Sequence, residues 1–191
     1  PEIVVYAFSN EEEVLARIED AEVAIANKVV FDANVFARAT KLKLICVTAT
    51  GTNNIDLEAA KQSGVVVCNI RDYCTESVVQ HVLLSILTLK HSSRDYSASM
   101  DNGDWQEGNS FSLLQHPITE LSGKSLGIVG YGVLGQGVAR AAAALGLNVL
   151  LCESFAKNNK SDQGLERISF ETFLAESDII SLHCPLTDNT E

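Results

Sequence analysis

Short apolar runs alternate along this chain with amphipathic stretches, and the pattern predicts strands and helices in turn. The predicted strands cover residues 1–7, 23–26, 42–48, 65–68, 126–129, 148–152, 165–168 and 178–183. The predicted helices cover residues 11–19, 34–40, 56–62 and 75–90, a segment that ends at residue 145, and a short segment that opens at Ser169. Strands and helices that alternate through short turns build parallel sheets, so the fold class is α/β.

Two parallel-sheet lobes, Rossmann-like or flavodoxin-like, are expected, with the largely apolar helix 75–90 as the bridge between them. The first lobe covers residues 1–74 and the second covers residues 75–191. The chain begins inside a predicted strand, and its second lobe supplies fewer strands than the roughly six of a complete dinucleotide-binding fold. We therefore expect both lobes to be incomplete, as in an internal piece of a longer protein.

The most informative motif is the turn that follows the apolar run 126–129. Gly130, Gly132 and Gly135 have the G-x-G-x-x-G spacing, and an Ala-rich helix opens among them. The first glycine permits the tight turn, the second lets the backbone approach a pyrophosphate, and the third lets helix and strand pack closely. The N–H groups at the start of the helix then face the anion. A tightly packed turn without a ligand is the alternative, and the complete β-α-β context favours a dinucleotide site.

Glu153 ends the next predicted strand, 18 residues beyond Gly135. A carboxylate at about this distance accepts hydrogen bonds from the adenosine ribose hydroxyls of NAD. The 2′-phosphate of NADP favours a nearby Arg, whereas the closest cations here are Lys157 and Lys160. The sequence therefore predicts NAD as the cofactor.

Residues 48–56 form a loop that leaves a strand and enters a helix, which is where open α/β sheets bind ligands. Gly51 is flanked by small residues, so successive backbone N–H groups could face a carboxylate there. The alternative is an ordinary turn in which Asp56 or Asn54 is the helix N-cap, and local spacing alone favours this alternative.

Composition limits the class of partner. A hydrophobic content of 46% is typical of a globular protein, and the net charge of −11 argues against binding to nucleic acid or an acidic membrane. The longest apolar run, residues 78–89, is too short to span a bilayer. The five cysteines contain no C-x-x-C pair, so we expect reduced, mostly buried thiols and no metal site. A cytoplasmic location fits these features.

Three further features have competing interpretations. His81 lies one helical turn from Ser77 and Ser85, and a packed or hydrogen-bonded role is favoured over a catalytic one. His183 follows the last predicted strand and is interpreted as a structural turn histidine. The polar stretch 92–115 is predicted to be an irregular arm whose Trp105 and Phe111 contact either a second subunit or the chain's own core.

Four ordered motifs lie at residues 49–56, 76–81, 121–132 and 177–187. Together they resemble the D-isomer-specific 2-hydroxyacid dehydrogenases, and the resemblance covers nearly all of the chain. Within that family the sequence looks most like the glycerate dehydrogenases, also called hydroxypyruvate reductases, through residues 49–56 and 116–121. The resemblance implies NAD-linked interconversion of a D-2-hydroxy acid and its 2-oxo acid, most simply D-glycerate and hydroxypyruvate.

The resemblance also implies roles for individual residues. The backbone at Thr50 and Gly51 would bind the substrate carboxylate, which makes the first lobe the substrate-binding one. Glu153 takes the place of the family's usual aspartate on the ribose, which keeps the charge but alters the reach. The residues expected at the cofactor are Gly130, Gly132, Val133, Leu134, Gly135, Glu153, Cys184, Pro185 and Thr190.

The chain departs from the family in one respect. The family's catalytic Arg, Glu and His come later in the family's order than Pro185, so they are expected beyond Glu191, and this chain alone is expected to be inactive. None of the four histidines of this chain matches the family's catalytic His; they are His81, His91, His116 and His183. The resemblance implies a homodimer for the full-length protein. The alternative function is an NAD-sensing binding protein without enzymatic activity, similar to the transcriptional corepressors of this fold.

Overall fold

The computed structural model describes residues 2–154, 164–187 and 190. The chain folds as two compact units, Pro1–Tyr73 and Cys74–Glu191. Each unit is built on its own parallel sheet, which confirms the predicted α/β class with two parallel-sheet lobes.

The first unit has a three-stranded sheet in the order β1-β2-β3, formed by Val23–Ala26, Leu44–Val47 and Val66–Asn69. Its helices are α1 (Glu11–Ile18), α2 (Ala33–Arg38) and α3 (Leu57–Gln62). Each helix begins at a side-chain cap. In α1 the Asn10 side chain accepts from Glu13 N at 2.9 Å while Glu13 accepts from Asn10 N at 3.1 Å, and the two bonds form a complete capping box.

One face of this sheet carries the core of the first unit. Ile45 and Val47 are buried, and they alternate along β2 with the half-buried Leu44 and Cys46. Phe31 also reaches this core and is 1% exposed. The period of two along β2 is the pattern expected of a strand that buries one face more than the other.

The predicted strand over residues 1–7 is wrong. Residues 2–7 form no strand, and the side chains of Ile3 and Val5 are 81% and 83% exposed. A run of apolar residues forms a strand only beside another strand that satisfies its backbone N–H and C=O groups. Among the described residues, β1 pairs with β2 alone, and no strand pairs with residues 2–7.

The second unit has a four-stranded parallel sheet in the order β6-β5-β4-β7. Its strands are β4 (Ser125–Val129), β5 (Asn148–Cys152), β6 (Arg167–Ile168) and β7 (Ile179–Leu182). Its helices are α4 (Thr75–Lys90), α5 (Ser93–Asp101), α6 (Asp104–Glu107), α7 (Val133–Ala144) and α8 (Phe170–Glu176). The bounds of α4 and β5 are those that the sequence pattern predicts.

Two glycines let helices approach closely in the second unit. A Cβ at Gly127 of β4 would lie 2.6 Å from the ring of Phe173, which α8 presses against the sheet and which is 0% exposed. A Cβ at Gly137 of α7 would lie 2.8 Å from a methyl group of Val79 on α4. Small residues at these contacts therefore set how tightly α8 and α4 pack.

The arm after α4 is more regular than the sequence predicts, because residues 93–101 form the nine-residue helix α5. The indole N–H of Trp105 donates to the Phe111 carbonyl at 3.2 Å, whereas the Phe111 side chain is 94% exposed. His81 is exposed, so of its two predicted roles the packed one is wrong, and the Ser85 hydroxyl donates to its backbone carbonyl. The apolar face of α4 turns inward at Val79 and Ile86.

The expectation of mostly buried thiols is also wrong. Only Cys152 is buried, Cys68 is exposed, and the other three cysteines are half-buried. Burial raises the pKa of the Cys152 thiol, and the neighbouring Glu153 carboxylate adds to that shift. Within the described ranges, no cluster of three or more potential ligands is placed to hold a metal ion, and no helix is long and apolar enough to cross a membrane.

Candidate functional site

The turn between β4 and α7 requires glycine at its first position for two independent reasons. Gly130 has a φ of +92°, a backbone conformation that residues other than glycine rarely adopt. A Cβ at Gly130 would also lie 2.6 Å from the backbone of His183 and Cys184, which follow β7. The turn is therefore fixed both by the dihedral angle of Gly130 and by the backbone segment that follows β7.

Gly135 allows the first turn of α7 to lie against β4. A Cβ there would overlap the carbonyl oxygen of Gly130 and lie 3.3 Å from a methyl group of Ile128. This is the close helix–strand packing that the third glycine of the motif predicts. The Gln136 side chain donates to the Tyr131 carbonyl at 3.2 Å and further fixes the turn.

Gly132 differs from these two glycines because nothing in the described structure lies within 4 Å of the position of its Cβ. Gly132 is also the N-cap of the twelve-residue helix α7, and no side chain caps that helix. Val133 and Leu134 form the start of its first turn, with Val133 51% exposed. An accessible backbone and an uncapped helix N-terminus are the features that hold a pyrophosphate, so these residues fit a dinucleotide.

Glu153 lies directly after β5 and its carboxylate is fixed in place. Its Oε1 accepts a hydrogen bond from Phe170 N at 2.7 Å, at the start of α8. Its own backbone N–H donates to Ile168 O at 2.8 Å, which extends the pairing of β5 with β6. The carboxylate is thus held at the carboxyl end of the sheet. Lys157 and Lys160, which bear on the choice between NAD and NADP, lie outside the described residues.

The segment after β7 is organised by Thr190. Its hydroxyl donates to the Pro185 carbonyl at 2.7 Å and accepts from Thr187 N at 2.8 Å. Cys184 is half-buried and packs against the buried cluster that contains Val129. The structure therefore brings Cys184 and Gly130 together through backbone contact, while Pro185 and Thr190 form a neighbouring turn.

His183 is held in the structure rather than free to titrate in solvent. Its Nε2 lies 2.9 Å from the Ser181 hydroxyl, and burial lowers its pKa below the ordinary value of 6.5. Its backbone carbonyl group lies against Gly130. These contacts agree with the structural interpretation of this histidine. His116 is likewise held, with Nε2 3.1 Å from the Ser99 hydroxyl.

The loop after β2 presents Thr50 and Gly51 to solvent. Asp56 is the N-cap of α3 and accepts from Ala59 N at 2.9 Å, so the turn interpretation holds for Asp56. Asn54 is not a cap, because its side chain donates to Val29 O at 2.6 Å. A role of Thr50 and Gly51 in binding a carboxylate stays a prediction.

The same loop is tied to β3 by a residue that sequence reasoning missed. The Asn69 side-chain amide donates to the Thr50 carbonyl at 2.7 Å. On the same side, Ile70 N donates to Ala49 O at 3.2 Å. Asn69 ends β3 beside the loop, and a polar amide at the carboxyl end of a strand next to a candidate ligand loop is the signal that could have found it.

A comparison with family models and known proteins is consistent with this geometry. The model of the NAD-binding domain of the D-isomer specific 2-hydroxyacid dehydrogenases matches residues 83–191, more than half of the chain. A glycerate dehydrogenase of Methylorubrum extorquens is 39% identical over 180 residues, which are 94% of this chain and 55% of that protein. A hydroxypyruvate reductase of Blautia hydrogenotrophica is 33% identical over 193 residues, 100% of this chain and 60% of that protein.

Among solved structures, the TT0316 protein from Thermus thermophilus superposes with a TM-score of 0.87 at 31% identity, over 99% of this chain and 59% of that one. The chain therefore spans between 55% and 60% of the length of these relatives. The similarity extends through both units, because each match covers at least 94% of this chain.

Proposed function

The chain belongs to the D-isomer specific 2-hydroxyacid dehydrogenase family, and from that premise we propose that the full-length protein interconverts a D-2-hydroxy acid and its 2-oxo acid with NAD. D-Glycerate and hydroxypyruvate are the first candidate pair, because relatives at 39% and 33% identity are named for these compounds. The observation that carries the proposal is the glycine turn at α7, where the backbone at Gly132 is open to an anion.

Bound NAD supplies a nicotinamide ring that accepts or donates the hydride at the substrate's C2. The residues of this chain hold the cofactor. The amides at Val133 and Leu134 would hold its pyrophosphate, and Glu153, whose carboxylate is already oriented by Phe170 N, would accept hydrogen bonds from the ribose. Cys184, Pro185 and Thr190 follow β7, at the same carboxyl end of the sheet as Glu153. The backbone at Thr50 and Gly51 binds the substrate carboxylate.

Reduction of the 2-oxo acid also needs a cation that polarises the carbonyl group and a proton donor tuned near neutral pH. We assign these tasks to an Arg and a Glu–His pair beyond Glu191. None of the four histidines of this chain matches the family's catalytic His, and His116 and His183 form hydrogen bonds with Ser99 and Ser181 instead. The 191-residue piece alone is thus expected to bind NADH without turning over substrate.

The full-length protein is proposed to be a homodimer that joins through the second unit. Exposed apolar side chains on α4 and on the arm support this, with Leu89 79%, Phe111 94% and Leu114 84% exposed. Replacing Phe111 and Leu114 by Ser should shift the full-length protein towards monomer in analytical ultracentrifugation. If the variant remains a dimer, the interface lies outside the region of Phe111 and Leu114. The free thiols and the net charge of −11 favour a cytoplasmic protein that binds no nucleic acid.

The test is NADH oxidation by the full-length protein and by the 191-residue piece, with hydroxypyruvate, glyoxylate and pyruvate as substrates. Turnover by the full-length protein alone, fastest with hydroxypyruvate, is the expected result. Turnover by the short piece would contradict the assignment of the catalytic groups beyond Glu191. NADH binding without turnover by either protein would favour the NAD-sensing function, which a search for protein partners would then examine.

A further inference from the structure

We propose that Asn69 is a positioning residue for the substrate carboxylate, acting through the peptide group that joins Thr50 to Gly51. The inference rests on the proposed function, because it concerns the same loop. It adds a residue on a different strand, 19 positions away along the chain, whose hydrogen bond decides where a backbone donor of the loop points.

The geometry follows from the peptide bond. A trans peptide group is planar, and its C=O and N–H point in opposite directions. No described peptide bond is cis. Since the Thr50 carbonyl accepts from the Asn69 amide at 2.7 Å, the N–H of Gly51 in the same peptide group points away from Asn69. Asn69 therefore fixes the direction of the Gly51 N–H without touching it.

The loop N–H groups are available for an anion. In the part of the chain that the structure describes, the N–H groups of Thr50, Gly51 and Thr52 have no hydrogen-bond acceptor. Thr50 and Gly51 are exposed to solvent. Successive N–H groups of this kind bind carboxylates, and a hydrogen bond to the carbonyl polarises the peptide group, so that its N–H becomes a stronger donor.

The loop is anchored on its other side as well. The Asn54 side chain donates to Val29 O at 2.6 Å, and Phe31 N donates to Asn54 O at 2.9 Å. These contacts fix the far end of the loop, near the start of α3, whereas Asn69 is the side chain that fixes the peptide group at Gly51. Loss of Asn69 should therefore misdirect one donor without releasing the whole loop.

The kinetic test compares the full-length wild type with Asn69→Ala. The KM for the 2-oxo acid should rise about tenfold, the value expected for a lost charge-assisted hydrogen bond, while the KM for NADH stays the same. The matching carboxamide substrate should lose little, so the preference for carboxylate over carboxamide should fall by the same factor. Asn69→His, which keeps an N–H donor on the ring attached at Cβ, should restore most of the preference.

Asn148→Ala is the matched control, because it removes an exposed asparagine whose amide donates to Gly123 O at 3.2 Å. It should leave the carboxylate preference unchanged. Equal losses of carboxylate and carboxamide activity in Asn69→Ala would show a merely structural role and overturn the proposal. Unchanged kinetics in Asn69→Ala would overturn it too.

A second readout does not depend on turnover. In full-length protein labelled with ¹⁵N-glycine, the Gly51 amide signal should shift saturably when hydroxypyruvate is added, and Asn69→Ala should weaken that response about tenfold. If the Gly51 amide signal of the wild type does not shift when hydroxypyruvate is added, the proposal is overturned. Failure of the proposed dehydrogenase function would instead appear as absent turnover in the wild type, whether or not the Gly51 signal responds.

Discussion

The backbone of the two candidate anion sites of this chain is held in place in two different ways. At the start of α7 the backbone is shaped by glycines, since Gly130 and Gly135 lie where a Cβ would meet neighbouring backbone. In the loop after β2 the backbone is held by side-chain amides, from Asn54 and Asn69. At Gly130 and Gly135 the geometry is enforced by steric exclusion, so no larger residue fits without a shift of the backbone. The hydrogen bonds from Asn54 and Asn69 can each be removed by a single substitution, so the backbone of this loop can change in small steps.

This difference fits the roles proposed for the two sites. A pyrophosphate is common to all uses of the same cofactor, so a rigid steric solution suits it. Substrates vary within the family, and a loop fixed by two side chains allows the donors to be redirected by single substitutions. The predictions below test whether the two sites respond to substitution as differently as their construction implies.

The largest effect is expected at Gly130. Gly130→Ala places a Cβ 2.6 Å from the backbone of His183 and Cys184 at a φ of +92°, and should lower the free energy of unfolding by about 3 kcal/mol or more. Gly123→Ala is the matched control, with a φ of +78° but nothing within 4 Å of the Cβ, and should cost about 1 kcal/mol. Urea unfolding measures both. Equal losses would show that the dihedral angle alone matters.

The glycine turn could be predicted from the sequence because its requirements are local. The G-x-G-x-x-G spacing, the bounds of α4 and the caps at Asn10 and Asp56 all depend on residues within a few positions of one another. Asn69 could not be predicted in the same way, because it acts on Thr50 across 19 positions and no periodic pattern reports such a contact.

The failed predictions have a related cause. The apolar run in residues 3–7 has the composition of a strand, but a strand also needs a hydrogen-bonded neighbour, and no described strand pairs with these residues. Similarly, α4 carries apolar residues over much of its surface, so the pattern does not show that Val79 and Ile86 turn inward while His81 turns outward.

A smaller effect is expected where the loop after β2 enters α3. Asp56→Ala removes the side chain that accepts from Ala59 N at 2.9 Å and should lower the free energy of unfolding by about 1 kcal/mol. Asp56→Asn, which keeps a capping oxygen, should lose much less. Urea unfolding of both variants measures the difference. A full loss in Asp56→Asn would mean that the negative charge, not the cap, stabilises the helix.

The smallest effect is expected from His183, whose backbone lies against Gly130. Burial lowers the pKa of its imidazole below 6.5, so the unfolded state takes up the proton first as the pH falls. Its contribution to stability is present above about pH 6.5 and is lost as the pH falls through the lowered pKa of the folded state. His183→Gln should flatten this decline when unfolding is measured between about pH 7.5 and 5. An equally steep decline in the variant would assign it to other groups.

The most direct test of the account is the affinity of the full-length Gly132→Ala variant for NADH. Because nothing lies within 4 Å of the Cβ position, the variant should keep the free energy of unfolding to within about 1 kcal/mol. Its dissociation constant for NADH, measured by calorimetry, should rise at least about tenfold, since the new methyl group takes the place of the pyrophosphate. A stable variant with unchanged NADH affinity would contradict the assignment of the open turn at Gly132 as the cofactor site.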